Sequence, residues 1–297
     1  MIKNDFIKRL QSEILLSDGA WGTELQKLGL KPGECPELCN LIQADRVLKI
    51  AHSYVKAGSN IIETNSFGGS KIKLCDYNLE DECYNLNKAA AEISRHAAGD
   101  SVMVFGSMGP TGKFLMTGEV TGEQLFDSFL DQCKGLKDGG IDVFCLETFY
   151  DLEEVRFAIE ACRTFNDVPI AVSFTFQKDI ENNFTTIMGN TVEEVYRTLN
   201  GLQVEIIGTN CGNGILDMIE LVTQIKLLGL NKPILVQSNA GMPEIVDGKI
   251  QYNESAKFFR DHIQKVLDAG ATIIGGCCGT TPEYISEMRQ ELNKIYK

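Results

Sequence analysis

The chain has 297 residues, 43% of them apolar, with a formal net charge of −13. That balance excludes the basic footprint of a nucleic-acid binder, and no local Lys/Arg cluster compensates for it. No apolar run approaches the ~20 residues needed to span a bilayer, so no membrane partner is expected. The opening segment Met1–Phe6 lacks a signal-peptide core, and a cytoplasmic location is therefore expected.

Taken in chain order, short apolar and β-branched runs predict strands over 14–20, 60–65, 102–106, 143–148, 170–176, 206–210, 234–238 and 272–276. They are near-continuous runs, the pattern of parallel strands covered on both faces. Between them, amphipathic segments predict helices over 44–57, 89–98, 122–137, 152–163, 215–228 and 254–269. Asp151 and Asn253 read as helix N-caps, and Gly58, Gly99, Gly139 and Gly270 as C-terminal stops. The stretch Asp76–Glu82 reads as a solvated acidic loop.

Strand–helix alternation of this length predicts an α/β fold, a (β/α)8 TIM barrel, as a single domain over residues 1–297. A doubly wound open sheet is the competing architecture, but no Gly-x-Gly-x-x-Gly turn follows an early strand. Nearly every expected strand ends in small, polar or reactive residues. Examples are Asp18-Gly19-Ala20, Glu63-Thr64-Asn65, Glu147-Thr148 and Asn239-Ala240-Gly241. Barrel enzymes gather their sites at strand carboxyl ends, so these motifs are expected to converge on one mouth.

Ten cysteines occur in the chain. Cys35, Cys39, Cys75, Cys83, Cys133, Cys145 and Cys162 are scattered, and read as reduced thiols behaving as small hydrophobes. The run Gly275-Gly276-Cys277-Cys278-Gly279 is different. Adjacent cysteines rarely satisfy disulfide geometry, whereas glycine-flanked ones can turn two sulfurs toward one ion. Cys211, in the context Asn210-Cys211-Gly212, is the expected third ligand.

Three thiolates with one position left open form the pattern of a catalytic zinc. Such a zinc activates a thiol by lowering its pKa from ~8.5, so the substrate is expected to be a thiol. A structural zinc normally shows a short Cys-x-x-Cys pair, and none is present. A cysteine nucleophile would need a nearby base. The three histidines, His52, His96 and His262, all fall in helix-like segments and are assigned to helix packing.

The blocks Asp18–Thr23, Glu63–Phe67, Gly106–Gly112, Glu147–Phe149, Asn210–Gly212, Asn239–Gly241 and Gly275–Pro282 together resemble the homocysteine S-methyltransferase family. That family includes the homocysteine-binding module of cobalamin-dependent methionine synthase. The resemblance covers about residues 14 to 282 in family order. It implies a barrel holding zinc through Cys211, Cys277 and Cys278, with homocysteine sulfur as the fourth ligand and methionine as product.

Beside that resemblance, the substrate's charged ends need partners. The Gly19-Ala20-Trp21 turn can offer amides to the carboxylate, and Glu147 is the expected partner of the ammonium. Asp18, Thr64 and Asn239 are further candidate substrate-binding residues; Asp18 also reads as closing a turn, and Asn239-Ala240-Gly241 as loop punctuation. Trp21 reads by default as packing, or as a cover for the methyl donor.

Loops 109–113 and 238–243 resemble the cobalamin-dependent module more than the S-methylmethionine or betaine enzymes. A methylcorrinoid (methylcobalamin) carried by a separate protein is therefore the expected donor. Competing readings are a small donor such as S-methylmethionine, another thiol or amine acceptor, a demethylase, and a non-catalytic zinc- or corrinoid-docking module.

Overall fold

A computed structural model of the protein describes residue 10, residues 13–246 and residues 249–296; Met1–Phe6 lies outside the described residues. Eight parallel strands form one sheet: β1 Leu15–Leu16, β2 Ile61–Glu63, β3 Met103–Met108, β4 Val143–Phe149, β5 Ile170–Phe174, β6 Ile206–Asn210, β7 Ile234–Ser238 and β8 Ile273–Gly276. Their order is β1-β8-β7-β6-β5-β4-β3-β2. The two ends of that series meet at Leu16, whose carbonyl accepts from the Asn60 amide at 2.7 Å and whose amide donates to Asn60 Oδ1 at 3.0 Å. The sheet is thus a nearly closed α/β TIM barrel, as expected.

Each strand is followed by a helix on the outside: α1 Ala44–Ala57, α2 Cys83–Ala98, α3 Gly122–Asp138, α4 Leu152–Arg163, α5 Val192–Gly201, α6 Ile215–Leu227, α7 Ala256–Ala269 and α8 Pro282–Ile295. Alternation along the strands explains the continuous apolar runs. Leu15, Ile61, Met103, Val143, Ala171, Ile206, Leu235 and Ile273 pack together inside the barrel. Their neighbours Leu16, Ile62, Val104, Phe144, Val172, Ile207, Val236 and Ile274 belong to the larger core shared with the helices.

Several boundaries differ from expectation. The first strand is assigned only over Leu15–Leu16, but its backbone contact with β8 runs further: the Ser17 amide donates to the Ile274 carbonyl at 2.7 Å and the Asp18 carbonyl accepts from the Gly276 amide at 2.9 Å. Helix α2 starts at Cys83, six residues earlier than the apolar pattern suggested. Asn253 does not cap α7: Ser255 accepts from the Phe258 amide, while Asn253 donates to Glu244. Asp151 does cap α4, accepting from the Glu153 amide at 2.8 Å. Gly58 and Gly270 end their helices in the left-handed region, at φ 105° and 118°.

Helices α5 and α8 were not among the expected helices. Thr191 and Glu194 form a reciprocal capping box on α5, and Thr281 with Pro282 starts α8. Two antiparallel hairpins decorate the strand-to-helix connections: Gln177–Lys178 with Phe184–Thr185, and Pro243–Val246 with Lys249–Tyr252. The acidic stretch at 76–82 contains 3-10 turns over Cys75–Tyr77 and Glu80–Glu82. Of the seven scattered cysteines, six are buried as expected, and Cys75 is exposed. His52 and His96 face each other between α1 and α2, and His262 Nδ1 is 2.9 Å from the Phe258 carbonyl.

Candidate functional site

Three backbone segments converge where β6, β7, β8 and β1 end. The Cys211 amide donates to the Gln237 carbonyl at 3.1 Å, extending the β6–β7 ladder by one rung. Cys211 then turns at φ 58°, and its carbonyl accepts from the Asn213 amide at 2.8 Å. Left-handed backbone at a non-glycine residue is uncommon, and here it redirects the chain at the cysteine.

On the neighbouring side, Gly276 and Cys277 are fixed from two directions. The Gly276 amide donates to the Asp18 carbonyl at 2.9 Å, and the Cys277 amide to the Ser238 carbonyl at 2.7 Å. The Cys278 carbonyl accepts from the Ala240 amide at 2.9 Å. Thr280 closes the turn: its hydroxyl donates to the Cys277 carbonyl at 2.7 Å and accepts from the Ala20 amide at 3.2 Å. A Cβ on Gly276 would overlap Thr280, so this position needs its glycine.

The three sulfurs of Cys211, Cys277 and Cys278 lie within 4.8 Å of one another. Among the described residues no other group of three or more His, Cys, Asp or Glu side chains comes together in this way. A tetrahedral zinc with Zn–S bonds of about 2.3 Å requires sulfurs about 3.8 Å apart. Cys211 and Cys278 are 3.9 Å apart, which fits. Hydrogen bonds from Cys211 and Cys277 hold Cys278 down at about 3. Cys277 is pushed well up by its contacts with Cys211 and Cys278. For Cys211, contact with Cys277 lowers the pKa, but Cys278 and burial outweigh it and raise the thiol to about 11. Three converging sulfurs make a soft donor set suited to zinc.

Beside the sulfurs lies an acidic pocket. Glu147, on β4, accepts from the Ser107 hydroxyl and, at 3.2 Å, from Asn210 Nδ2. Asn210 is held in turn by the Thr148 amide at 2.8 Å and the Ser173 hydroxyl at 2.6 Å. Asp18 accepts from Trp21 Nε1 at 2.9 Å and from the Glu63 amide at 2.8 Å. Glu63 accepts from Gln237 Nε2 at 2.8 Å. All three carboxylates are buried. Burial pushes Asp18 up to about 6 and Glu147 to about 7; Glu63 goes well above the usual range, raised by burial and by the charge of Glu147.

The structure brings together the expected Cys211, Cys277, Cys278, Glu147 and Asp18, and gives several others more local duties. The Ala20 amide is engaged by Thr280 Oγ1, and the Ala20 carbonyl by the Tyr54 hydroxyl at 2.7 Å. Gly19 packs so closely on Thr280 and Tyr54 that a Cβ would overlap them. Trp21 is half-buried, with its indole on Asp18. Thr64 is buried, its hydroxyl accepting from the Ser107 amide at 3.0 Å and lying 2.5 Å from Ser66 Oγ. Asn239 is buried, and its Oδ1 has no hydrogen-bond partner among the described residues.

Ser107, Asn210, Glu63, Gln237, Thr280 and Tyr252 were not singled out as site residues. The Tyr252 ring fills the space above Gly279, the residue after Cys278. The first five occur at or near strand ends, the same positional signal that marked Glu147.

Similarity to known proteins agrees with this arrangement. The family model described as homocysteine S-methyltransferase matches residues 15–292. The chain is 28% identical to the methionine synthase of Mycobacterium leprae, over 96% of this chain and 25% of that protein. It is also 28% identical to the methionine synthase of Mycobacterium tuberculosis, over 98% of this chain and 26% of that protein. The chain therefore spans about a quarter of the length of these relatives. Among solved structures, the metallated homocysteine methyltransferase MmuM from Escherichia coli superposes with a TM-score of 0.78 at 23% identity, covering 94% of this chain and 96% of that one. The match across almost all of the barrel establishes that this chain belongs to the homocysteine S-methyltransferase family.

Proposed function

We propose that this barrel, over residues 1–297, binds homocysteine and transfers a methyl group to its sulfur, giving methionine. The observation that carries this reading is the meeting of three sulfurs with a buried acidic pocket at one barrel mouth. Cys211, Cys277 and Cys278 would hold zinc, which when bound supplies activation of a thiol as thiolate near neutral pH.

The other residues bind and orient. Among the described residues, Asp18 and Glu147 accept hydrogen bonds from serine, asparagine, tryptophan and backbone groups. A buried carboxylate pair of this kind calls for a cationic partner, and the α-ammonium of an amino acid supplies it. Asn239 Oδ1 adds an unused acceptor. With the Ala20 amide taken by Thr280, the Gly19–Trp21 turn would meet the substrate carboxylate through its remaining groups, and Thr64 acts by bracing Ser107. In the transfer, a sulfur lone pair forms the new S–C bond while the methyl–donor bond breaks, its electron pair leaving with the donor. A corrinoid or sulfonium leaving group requires no proton, consistent with a site without histidine.

The expected donor is a methylcorrinoid, methylcobalamin on a separate protein. This rests on the resemblance of loops 109–113 and 238–243, and an apolar mouth suits such a partner. Phe67, Met116, Ile180, Met242, Ile245 and Ile250 are all exposed on strand-to-helix connections. No described helix is long and apolar enough to cross a membrane. Free thiols at the site suit a reducing, cytoplasmic setting.

A donor screen tests the reading: zinc-loaded protein with homocysteine and methylcobalamin, S-methylmethionine, S-adenosylmethionine or betaine, with methionine quantified. Methionine from methylcobalamin is the expected result. Turnover only with a sulfonium or betaine overturns the donor assignment. Zinc-replete protein inactive with every donor overturns the enzyme reading in favour of a docking module.

A further inference from the structure

Strand β4 is irregular where it carries Glu147. Leu146 pairs with Val172 and Phe149 with Phe174, so β4 advances three residues where β5 advances two. That extra residue makes a bulge, a device that re-aims side chains beside active sites. Thr148, within the bulge, turns at φ 60°. A β-branched residue in the left-handed region is a genuine outlier, and such backbone persists only where its surroundings over-determine it.

Here one side chain does much of that. Asn210, fully buried at the end of β6, reaches past β5 to the bulge. The Thr148 amide donates to Asn210 Oδ1 at 2.8 Å, and the Ser173 hydroxyl on β5 donates to the same oxygen at 2.6 Å. A backbone amide can only donate, so the orientation of the Asn210 carboxamide is fixed and its nitrogen must point the other way. That nitrogen donates to Thr148 Oγ1 at 2.7 Å and to Glu147 Oε2 at 3.2 Å. Three strand ends are thus tied in one layer.

The next residue along the chain is Cys211, whose sulfur lies 3.9 Å from that of Cys278. Asn210 therefore joins the strand end that presents sulfur to the bulge that presents a carboxylate. A substrate spanning both meets them at a separation that this side chain holds.

We infer that Asn210 is a positioning residue that fixes the spacing between the sulfur site and Glu147, and so selects the chain length of the amino-acid thiol. The inference rests on the reading that the substrate's sulfur goes to the cysteines and its ammonium to Glu147.

The test uses three ligands: homocysteine, 2-amino-5-mercaptopentanoate, which is one methylene longer, and 4-mercaptobutanoate, which has the thiol and carboxylate but no ammonium. Binding of each to zinc-loaded wild type, Asn210→Ala and Asn210→Asp is measured by calorimetry, with zinc stoichiometry alongside. Wild type should prefer homocysteine to the longer homologue by at least about tenfold, the scale of one methylene in a fitted site. Asn210→Ala removes a hydrogen bond to a charged group and should weaken homocysteine about 10- to 100-fold. Its chain-length preference should shrink to within about threefold. Zinc should stay stoichiometric, and 4-mercaptobutanoate, which makes no demand on Glu147, should change by no more than about threefold. Asn210→Asp keeps both acceptor contacts but turns an oxygen instead of an N–H toward Glu147, and its preference should shrink likewise.

Wild type that binds the two amino acids alike would overturn the inference, as would a variant that keeps the wild-type preference. Equal weakening of all three ligands by Asn210→Ala, or loss of zinc, would mean that Asn210 only supports Cys211 or the fold, and would overturn it too. Should Asn210→Ala fail to fold, the preference shown by Asn210→Asp decides alone. Wild type that binds homocysteine no better than 4-mercaptobutanoate, or binds none of the three, is a separate failure, that of the underlying homocysteine reading.

Discussion

The strength of ammonium recognition should depend on pH in a way set by Glu147. Burial, together with the negative charge of Asp18, outweighs the Ser107 hydrogen bond and brings Glu147 up to about 7. At that value the carboxylate is about 10% ionised at pH 6 and about 90% ionised at pH 8. An ammonium prefers the ionised form, so homocysteine affinity should rise with pH across this window and level off above it. Raising pH also promotes thiol ionisation, but 4-mercaptobutanoate carries the same type of thiol and provides the control. The ratio of the two affinities should therefore increase about tenfold from pH 6 to pH 8 in zinc-loaded wild type. In Glu147→Gln the ratio should be flat, and homocysteine binding at pH 8 should be weaker by about 10- to 100-fold, the scale of a hydrogen bond to a charged group. The stability of the ligand-free protein should move the opposite way. A carboxyl raised from 4.5 to about 7 contributes stability fully present below 4.5 and lost as pH rises through 7. Thermal denaturation should thus show homocysteine raising Tm more at pH 8 than at pH 6. A flat affinity ratio in wild type, or a slope that persists in Glu147→Gln, would refute the assignment of the ammonium to Glu147.

Four other substitutions probe the sulfur site. Cys211→Ser, Cys277→Ser and Cys278→Ser should each lose stoichiometric zinc by metal analysis, and methyl transfer with it, while circular dichroism still reports the barrel; full zinc retention in any of them would remove that cysteine from the ligand set. Gly279→Ala places a Cβ against the Tyr252 ring at φ 82°, so denaturant unfolding should show a loss of about 1–3 kcal/mol and zinc affinity should fall; unchanged stability would show that the turn relaxes freely.

Much of this barrel can be read from the chain because its strands are buried on both faces. Runs such as Ile206–Asn210 and Ile234–Ser238 match the observed strands residue for residue. The paired cysteines are legible for a chemical reason: glycine-flanked sulfurs at a strand end have few structural uses. The scattered Cys133 and Cys162 show the contrast, lying 3.5 Å apart in the core between helices, with no pattern in sequence to pair them. Hairpin Pro243–Tyr252 was not legible, because its cross-strand residues Ile245 and Ile250 are exposed and lack a buried face to set a period.

The polar floor of the pocket was missed for a different reason, and the signal for it exists. Inside a barrel every second residue of a strand points inward. Ile61, Phe105, Cys145 and Leu235 fill the interior, so residues two positions further along face the same way: Glu63, Ser107, Glu147 and Gln237. Reading strand ends only as loop motifs separates Glu147 from its supports. Reading them by parity places all four on one inward-facing layer, directly above the apolar fill. That layer is where the observed hydrogen bonds run, from Gln237 to Glu63 and from Ser107 to Glu147. The acidic pocket is therefore a continuation of the barrel's own side-chain stacking, with its topmost layer changed from hydrocarbon to carboxylate. Its rigidity follows from the strands, while the sulfur ligands above it depend on turns.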